Sequence, residues 1–391
     1  MTETLLSNRP DVVVKLDPEI EKAYWRASLF NYYTGSGNDR MIRQIAVNDL
    51  SPIEIRLKAK STGEGVRGNA DLADNLDNMD IYAMSVTPDV FANAQKSPIM
   101  QYSKTLQINF EKEARENLIE WFQDKSDRMI IANLTAKLTN VLVCDKDKNT
   151  PFKVASTKDT VEDLIKKTVK GDIVTLKAVR ELIKRAKNGI GISGKEDSFP
   201  IKPGRVSYFR DDGLAEQEQR RYTLFLSPEQ AQQLKNDPEY QYYVRSITAG
   251  SFSNTFESGL MIGIDGCAVV ELPTWSLLQA GLLHTGINLN SKTYLDPSVA
   301  DFKLESYKPT QSNTDACIGL LVGASACLYP NSGNVTMRVE LKDAGRKVLV
   351  GADKILGVRK AVFNAIKSGY DTDFIYDKKD FSVIGFVSSK E

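Results

Sequence analysis

The side chains able to do chemistry are few and scattered. One histidine occurs, His284, within Gly281-Leu-Leu-His284-Thr-Gly286. A single imidazole cannot build a multi-histidine metal site, and no cysteine or glutamate stands at ligand spacing from it. A triad needs only one histidine as its base. However, the nucleophile pattern on offer, Gly323-Ala-Ser325-Ala-Cys327, lacks the second glycine of a strained nucleophile elbow. His284 therefore reads as a loop or core histidine. The cysteines, Cys144, Cys267, Cys317 and Cys327, are far apart and form no Cys-x-x-Cys pair. They read as small buried hydrophobes in a reducing compartment.

Two motifs imitate ligand sites. Gly189-Ile-Gly191-Ile-Ser-Gly194 satisfies Gly-x-Gly-x-x-Gly, but that motif holds pyrophosphate only between a preceding strand and a following helix. Here the order is reversed. Leu176 to Lys187 has the apolar stripe of a helix, with Leu176, Val179, Leu182, Ile183 and Ala186 on one face. Lys195-Glu-Asp-Ser-Phe-Pro200 then follows as a linker. Asp145-Lys-Asp147-Lys-Asn149 imitates a calcium loop, yet Thr150 replaces its glycine and Ser156 its bidentate glutamate. A polar turn ending at Pro151 is the reading. Sequons at Asn133 and Asn334 carry no weight without a secretory route. No catalytic residue, cofactor or metal is expected.

Composition narrows the class. A chain of 391 residues has room for two or three domains. Its 51 basic and 51 acidic residues cancel, so charge gives no global drive toward nucleic acid. A hydrophobic share of 41% fits a globular protein. Met1 to Asp11 carries no basic leader and no apolar signal segment. Ala316 to Tyr329, the longest uncharged apolar-leaning run, is too short for a bilayer, which needs about 20 residues. The expectation is a soluble protein made in a cytoplasm.

The elements that must position any site alternate between strand and helix. Ile53-Glu-Ile-Arg-Leu-Lys-Ala-Lys60 alternates apolar and charged residues, giving a strand of about 27 Å with one wet face. A polar glycine-bearing stretch, Ser61 to Asn69, leads on to a returning strand at Ile81 to Val86. A lone two-stranded arm is marginal in water. It reads either as a mobile surface hairpin or as an arm laid across a neighbouring copy, which would supply the missing contacts. From Ile99 to Thr150 there is neither glycine nor proline. Phe110, Ala114, Leu118, Trp121, Phe122, Met129, Ile130, Leu134 and Leu138 mark a helical stripe. Glu111 with Arg115 and Asp124 with Arg128 sit at four-residue spacing. A helix from Thr105 to Leu138 would be about 50 Å long.

Further along, Arg221 to Leu226 is a strand, and Ser227-Pro-Glu-Gln230 starts a helix with serine as cap. Leu260 to Leu272 is a strand broken at Asp265-Gly266. Asn288 to Asn313 is loop-like, an insertion. Ala316 to Leu328 is expected as a buried helix with small residues on its packed side. Strands are expected at Lys354 to Val358, Ala361 to Asn364 and Ser382 to Val387. Without a βαβ rhythm, the class is α+β.

Several stretches then align in order with one family. They are Gly65-Val-Arg-Gly68-Asn69, Asp74 to Asp77, Ala114 with Leu118 and Trp121, and Asp127 with Leu134. Arg221 to Leu234, Gly263-Ile-Asp-Gly266, Gly319 to Ala324 and Ile355 to Asn364 follow. Together they resemble the major capsid protein family typified by phage N-four, collinear from about Leu29 to the C-terminus. Ala70-Asp71 stands where the family tends to an acidic pair, and Val90-Phe91 where it tends to Arg-His.

The resemblance implies the Hong Kong ninety-seven type of capsid fold. Its parts would be an N-terminal arm (1–48), an extended loop (49–95) and a peripheral domain with a spine helix (96–170). An axial domain (171–351, with the insertion at 288–313) and returning C-terminal strands (352–391) would complete it. Function would be self-assembly through pentamers and hexamers into the icosahedral head of a tailed bacteriophage. Expected partners are other copies, scaffolding and portal proteins, and double-stranded DNA held without sequence readout, with no membrane. The expected inter-subunit residues are Trp25, Phe30, Tyr32, Tyr33, Gly63, Glu64, Gly65, Arg67, Gly68 and Asn69. The four aromatics read equally as core. An encapsulin-like shell and a nucleotide-dependent enzyme using the Gly189 loop are the alternatives.

Overall fold

The computed structural model describes residues 30–58, 66–68, 81–97, 110–135, 138–146, 150–155, 160–209, 216–248, 261–272, 316–332, 336–364 and 376–390. A 3-10 turn at Asn31–Tyr33 leads into β1 (Thr34–Gly35), β2 (Ile42–Ala46), β3 (Ile53–Lys58), β4 (Ile81–Val86) and β5 (Asp89–Lys96). Then come α1 (Phe110–Thr135), β6 (Val141–Val143), α2 (Val161–Lys166), α3 (Leu176–Asn188), β7 (Gly204–Phe209) and β8 (Glu216–Leu226). Next are α4 (Pro228–Asn236), α5 (Pro238–Thr248), β9 (Met261–Ile264) and β10 (Cys267–Glu271). The last strands are β11 (Ala316–Val322), β12 (Cys327–Asn331), β13 (Thr336–Lys342), β14 (Lys347–Leu356), β15 (Arg359–Lys360) and β16 (Val383–Ser389). His284 and the segment 288–313 lie outside the described residues.

Two large sheets carry the fold. The first runs β1-β2-β12-β14-β13, with β15 on β12 and β5 on β14. The second runs β6-β16-β11-β8-β10-β9, with β7 on β8. One apolar core joins α1 to both sheets through Leu118, Phe122, Leu134, Ile318 and Val350. A second core packs α3 and α4 on the other sheet through Val179, Leu182, Leu234, Leu224 and Ile384.

Local chemistry fixes several boundaries. Thr175 caps α3 by accepting from the Ala178 N–H, and Gly189 ends it in the left-handed region at φ 72°. Ser227 and Gln230 form a capping box at α4, with Pro228 in the first turn. Asp265 (φ 48°) and Gly266 (φ 82°) both adopt positive φ between β9 and β10, as a type I′ turn requires. The helical stripe from Phe110 to Leu134 is realised in α1, whose 26 residues span about 39 Å, while Leu138, expected as its end, lies outside the helix before β6. The flanking residues 101–109 and 136–137 lie outside the described set, as do the side chains of Glu111, Asp124 and Arg128.

Three expectations are corrected. Ala316 to Leu328 is not a helix: it is β11, a turn and the start of β12. β11 lies between β16 and β8 and is buried along its whole length, so its sequence shows a continuous apolar run instead of an alternation. Its small residues serve close backbone approach. A methyl on Gly319 would stand 2.8 Å from Gln230 Oε1 and 2.9 Å from the Phe225 carbonyl oxygen. Ala361 to Asn364 is not a strand either, since only Val362 forms a bridge, with Asp380. The strand at Lys354 is the end of β14, which begins at Lys347.

The third correction concerns the hairpin. β3 and β4 pair antiparallel from Ile53↔Val86 to Lys58↔Ile81, as the alternation predicts. Their apolar side, however, is covered by their own subunit. Ile55, Met84 and Val86 pack with Leu328, and Leu57 and Tyr82 with Phe199 and Phe363. The Ala83 N–H donates to the Asn364 carbonyl at 2.9 Å, and Arg359 Nη1 donates to the Ser85 carbonyl. Partners more than 100 residues away in sequence supply this cover, so no local pattern announces it. β5, which the resemblance assigned to the same loop, pairs with β14 from Asp89↔Leu356 to Lys96↔Leu349.

Candidate assembly surfaces

The structure separates the aromatic residues singled out in sequence. Phe30 and Tyr33 belong to the subunit's own core, each set edge-on against Phe225 at 5.5 and 5.4 Å. The Asn31–Tyr33 turn places them one turn apart on the buried side. Tyr32, between them, faces outward with 43% of its surface exposed. Arg67 and Gly68 are exposed, and Gly68 adopts φ 75° in open space. Trp25, Gly63, Glu64, Gly65 and Asn69 lie outside the described residues.

Polar clasps tie the segment after Tyr33 to both sheets. Asp39 accepts ion pairs from Arg205 at 3.2 Å and Arg220 at 3.6 Å, while the Arg205 N–H donates to the Asp39 carbonyl. The Ser325 and Ala326 N–H groups donate to the carbonyls of Arg40 and Met41. A second clasp is buried. Lys360 Nζ stands 2.6 Å from Asp380 Oδ1, and Asp380 Oδ2 accepts from the Thr139 N–H at 2.8 Å. This clasp locks the C-terminal segment to the turn after α1.

Outward apolar surface remains after these contacts. Tyr242 on α5 is 77% exposed beside a groove lined by Leu176, Arg180, Pro238 and Tyr243. There Arg180 lies over the Tyr243 ring at 5.5 Å and pairs with Asp265 at 3.2 Å. On β13, Val339 is 42% and Leu341 63% exposed. Sequence reasoning missed β13, although Thr336-Met-Arg-Val-Glu-Leu-Lys342 shows the same alternation that revealed β3.

Among the described residues no cluster of three His, Cys, Asp or Glu side chains could hold a metal ion. The Gly189 loop follows a helix C-terminus, and two of its glycine N–H groups are spent within it. The Gly191 N–H donates to the Lys195 carbonyl, and that of Gly194 to the Gly191 carbonyl. A Cβ on Gly191 would stand 2.0 Å from Asp197 Oδ1, so the loop is filled by its own side chain.

All four cysteines are buried and free. Burial pushes the Cys267 and Cys327 thiols up to about 12 and raises Cys144 as well. Burial likewise lifts the Tyr33 phenol to about 12, against the pull of Arg221. These groups bind protons more tightly folded than unfolded, where they titrate at 9.0 and 10.0. Their stabilisation is whole below about pH 9 and is lost as pH climbs toward 12. The thermal midpoint of the subunit should therefore fall steadily above about pH 9. A thiol reagent at neutral pH should label no cysteine until denaturant is added. A midpoint rising above that pH, or rapid native labelling, would contradict the burial.

No protein-family model matches the chain. Over 402 aligned residues it is 32% identical to the major structural protein ORF14 of Helicobacter pylori bacteriophage KHP30, covering 99% of this chain and 97% of that protein. It is 23% identical to the major capsid protein of Pseudomonas phage KPP25 over 92% of each chain. Among solved structures, the head of Helicobacter pylori bacteriophage KHP40 superimposes with a TM-score of 0.74 at 30% identity, covering 99% of this chain and 97% of that one.

Proposed function

Because this chain belongs to the major capsid protein family of tailed bacteriophages and has their Hong Kong ninety-seven type α+β fold, we propose that its copies close into rings of five and six that join into a head shell. Head-to-tail contacts that close make rings, and two-fold contacts join them. Each subunit meets many neighbours, so modest contacts combine through effective concentration. The observation that carries this reading is the 32% identity running through 99% of the chain.

The parts follow the family plan: arm 1–48, extended loop 49–95, peripheral domain 96–170 built on α1, axial domain 171–351 and returning strands 352–391. The core anchors Phe30 and Tyr33 fix the root of the arm, leaving Trp25 and Tyr32 to meet neighbours. Gly63, Glu64, Gly65, Arg67, Gly68 and Asn69 make the corresponding contact from the extended loop. Scaffolding and portal proteins are the partners during assembly in the host cytoplasm, and packaged DNA meets the inner surface through charge alone. The chain acts as a structural protein without a catalytic step. Among the described residues no helix is long and apolar enough to cross a membrane.

The test is assembly. The expressed chain, with a scaffolding partner where one is required, should sediment as particles of uniform size. Compact monomers under every assembly condition would contradict the reading.

A further inference from the structure

We infer that β13 is an inter-subunit strand, pairing antiparallel with β13 of a second copy across a two-fold axis centred on Val339. This inference rests on the capsid reading and specifies one of its contacts. Among the described residues β13 is the last strand of its sheet, hydrogen-bonded only to β14. An exposed edge offers a row of backbone donors and acceptors to another chain.

The two faces of β13 say what that chain must look like. Val339 pairs with Val350 and Leu341 with Val348, and residues opposite one another project to the same face. Val350 is fully buried, in the core that α1 shares. Val339 and Leu341 continue that apolar face past the end of its cover. The other face carries Arg338, Glu340 and Lys342, all exposed.

Register then selects the occupant. In an antiparallel pair of β13 strands centred on Val339, Arg338 of each copy lies opposite Glu340 of the other. Val339 meets Val339, and Met337 falls opposite Leu341. Moving the centre to Arg338 sets arginine against arginine. Moving it to Glu340 sets glutamate against glutamate and Arg338 against Lys342. A one-residue slip sets apolar residues against charged ones. Centring on Leu341 would also set Glu340 against Lys342, but it runs Val339 onto Asp343 of the turn. The register centred on Val339 matches charge and face while pairing all of Thr336–Lys342, and it is self-complementary, as a two-fold contact between copies must be.

Within the subunit Arg338 already touches Asp353 at 3.7 Å and Glu340 touches Lys342 at 2.5 Å. These contacts make a charge swap diagnostic. Arg338→Glu and Glu340→Arg should each cut the yield of closed particles by about tenfold or more, because like charges then face one another across the axis. The double swap restores opposite charges between copies and should recover most of the yield. Within one chain it leaves both new side chains beside like charges, Asp353 and Lys342. A double variant worse than either single would therefore overturn the inference in favour of a purely internal role.

A cross-link reads the same contact independently. Val339→Cys places two thiols opposite each other at a Cα separation of about 4.5–5.5 Å, within disulfide range. Oxidised particles should give covalent dimers. Leu341→Cys, whose copies would stand about 14 Å apart, should not. The native cysteines are buried and add no background. Intact Val339→Cys particles that stay monomeric on oxidation would overturn the pairing while leaving the capsid reading intact. A wild-type chain that forms no particles would overturn both.

Discussion

Replacing Phe363 by alanine should destabilise the subunit by about 3–5 kcal/mol, the usual cost of emptying an aromatic site in a core. Phe363 is fully buried and holds together segments from four parts of the chain. Its ring centre lies 4.7 Å from Tyr82, 5.0 Å from Phe199, 5.3 Å from Phe381 and 5.6 Å from Tyr376. Tyr82 is on the hairpin, Phe199 follows the Gly189 loop, and the other two precede β16. The ring therefore fastens the β3–β4 hairpin to the rest of the subunit. Phe363→Leu keeps much of the volume and should cost clearly less. Urea unfolding of the unassembled subunit measures both. A loss below about 1 kcal/mol for the alanine variant would mean that the aromatic cluster collapses without penalty.

Asp380→Asn should cost a similar amount, about 3–5 kcal/mol, through electrostatics instead of packing. The Lys360 and Asp380 side chains are 6% and 1% exposed, so neutralising Asp380 takes away the counter-charge held 2.6 Å from the buried Lys360 ammonium. The asparagine oxygen can still accept from the Thr139 N–H, which confines the loss to the missing counter-charge. Adding Lys360→Met removes the buried ammonium as well. The double variant should then recover much of the stability lost by the single, in the way buried ion pairs tolerate apolar replacement. Unfolding measurements that find the two substitutions additive would show that the pair is not coupled.

Much of the framework is legible in the sequence because its signals are local. The cap at Thr175, the left-handed end at Gly189, the Ser227 capping box and the Asp265-Gly266 turn each depend on a few adjacent residues. The alternation at Ile53 to Lys58 also appears where it was expected. What the sequence hides is long-range. β11 carries no alternation because strands flank it on both edges and both its faces are covered. The hairpin was expected to lack a partner because Leu328, Phe199 and Phe363, which cover it, are remote in the chain. Phe30 and Tyr33 could not be told from Tyr32 until the turn that carries them was placed against Phe225. β13 was open to detection, since apolar and charged residues alternate along it. What distinguishes it is the missing cover over Val339 and Leu341, and that belongs to the tertiary structure.

The folded-back hairpin also changes what assembly must supply. The β3–β4 hairpin packs its apolar side within the subunit, so on the proposed reading neighbouring copies meet at outward surfaces such as Tyr32, Arg67 and the β13 edge. The β3–β4 hairpin should thus be in place before assembly. Its contacts can be weak one by one and still close a shell.

The most direct measurement is an image reconstruction of particles grown from the purified chain. The account predicts closed shells of one diameter built from rings of five and six, each ring position filled by this fold with Phe363 still against its own Tyr82. A chain that stays monomeric, or gathers only into amorphous aggregates with and without scaffolding protein, would contradict it.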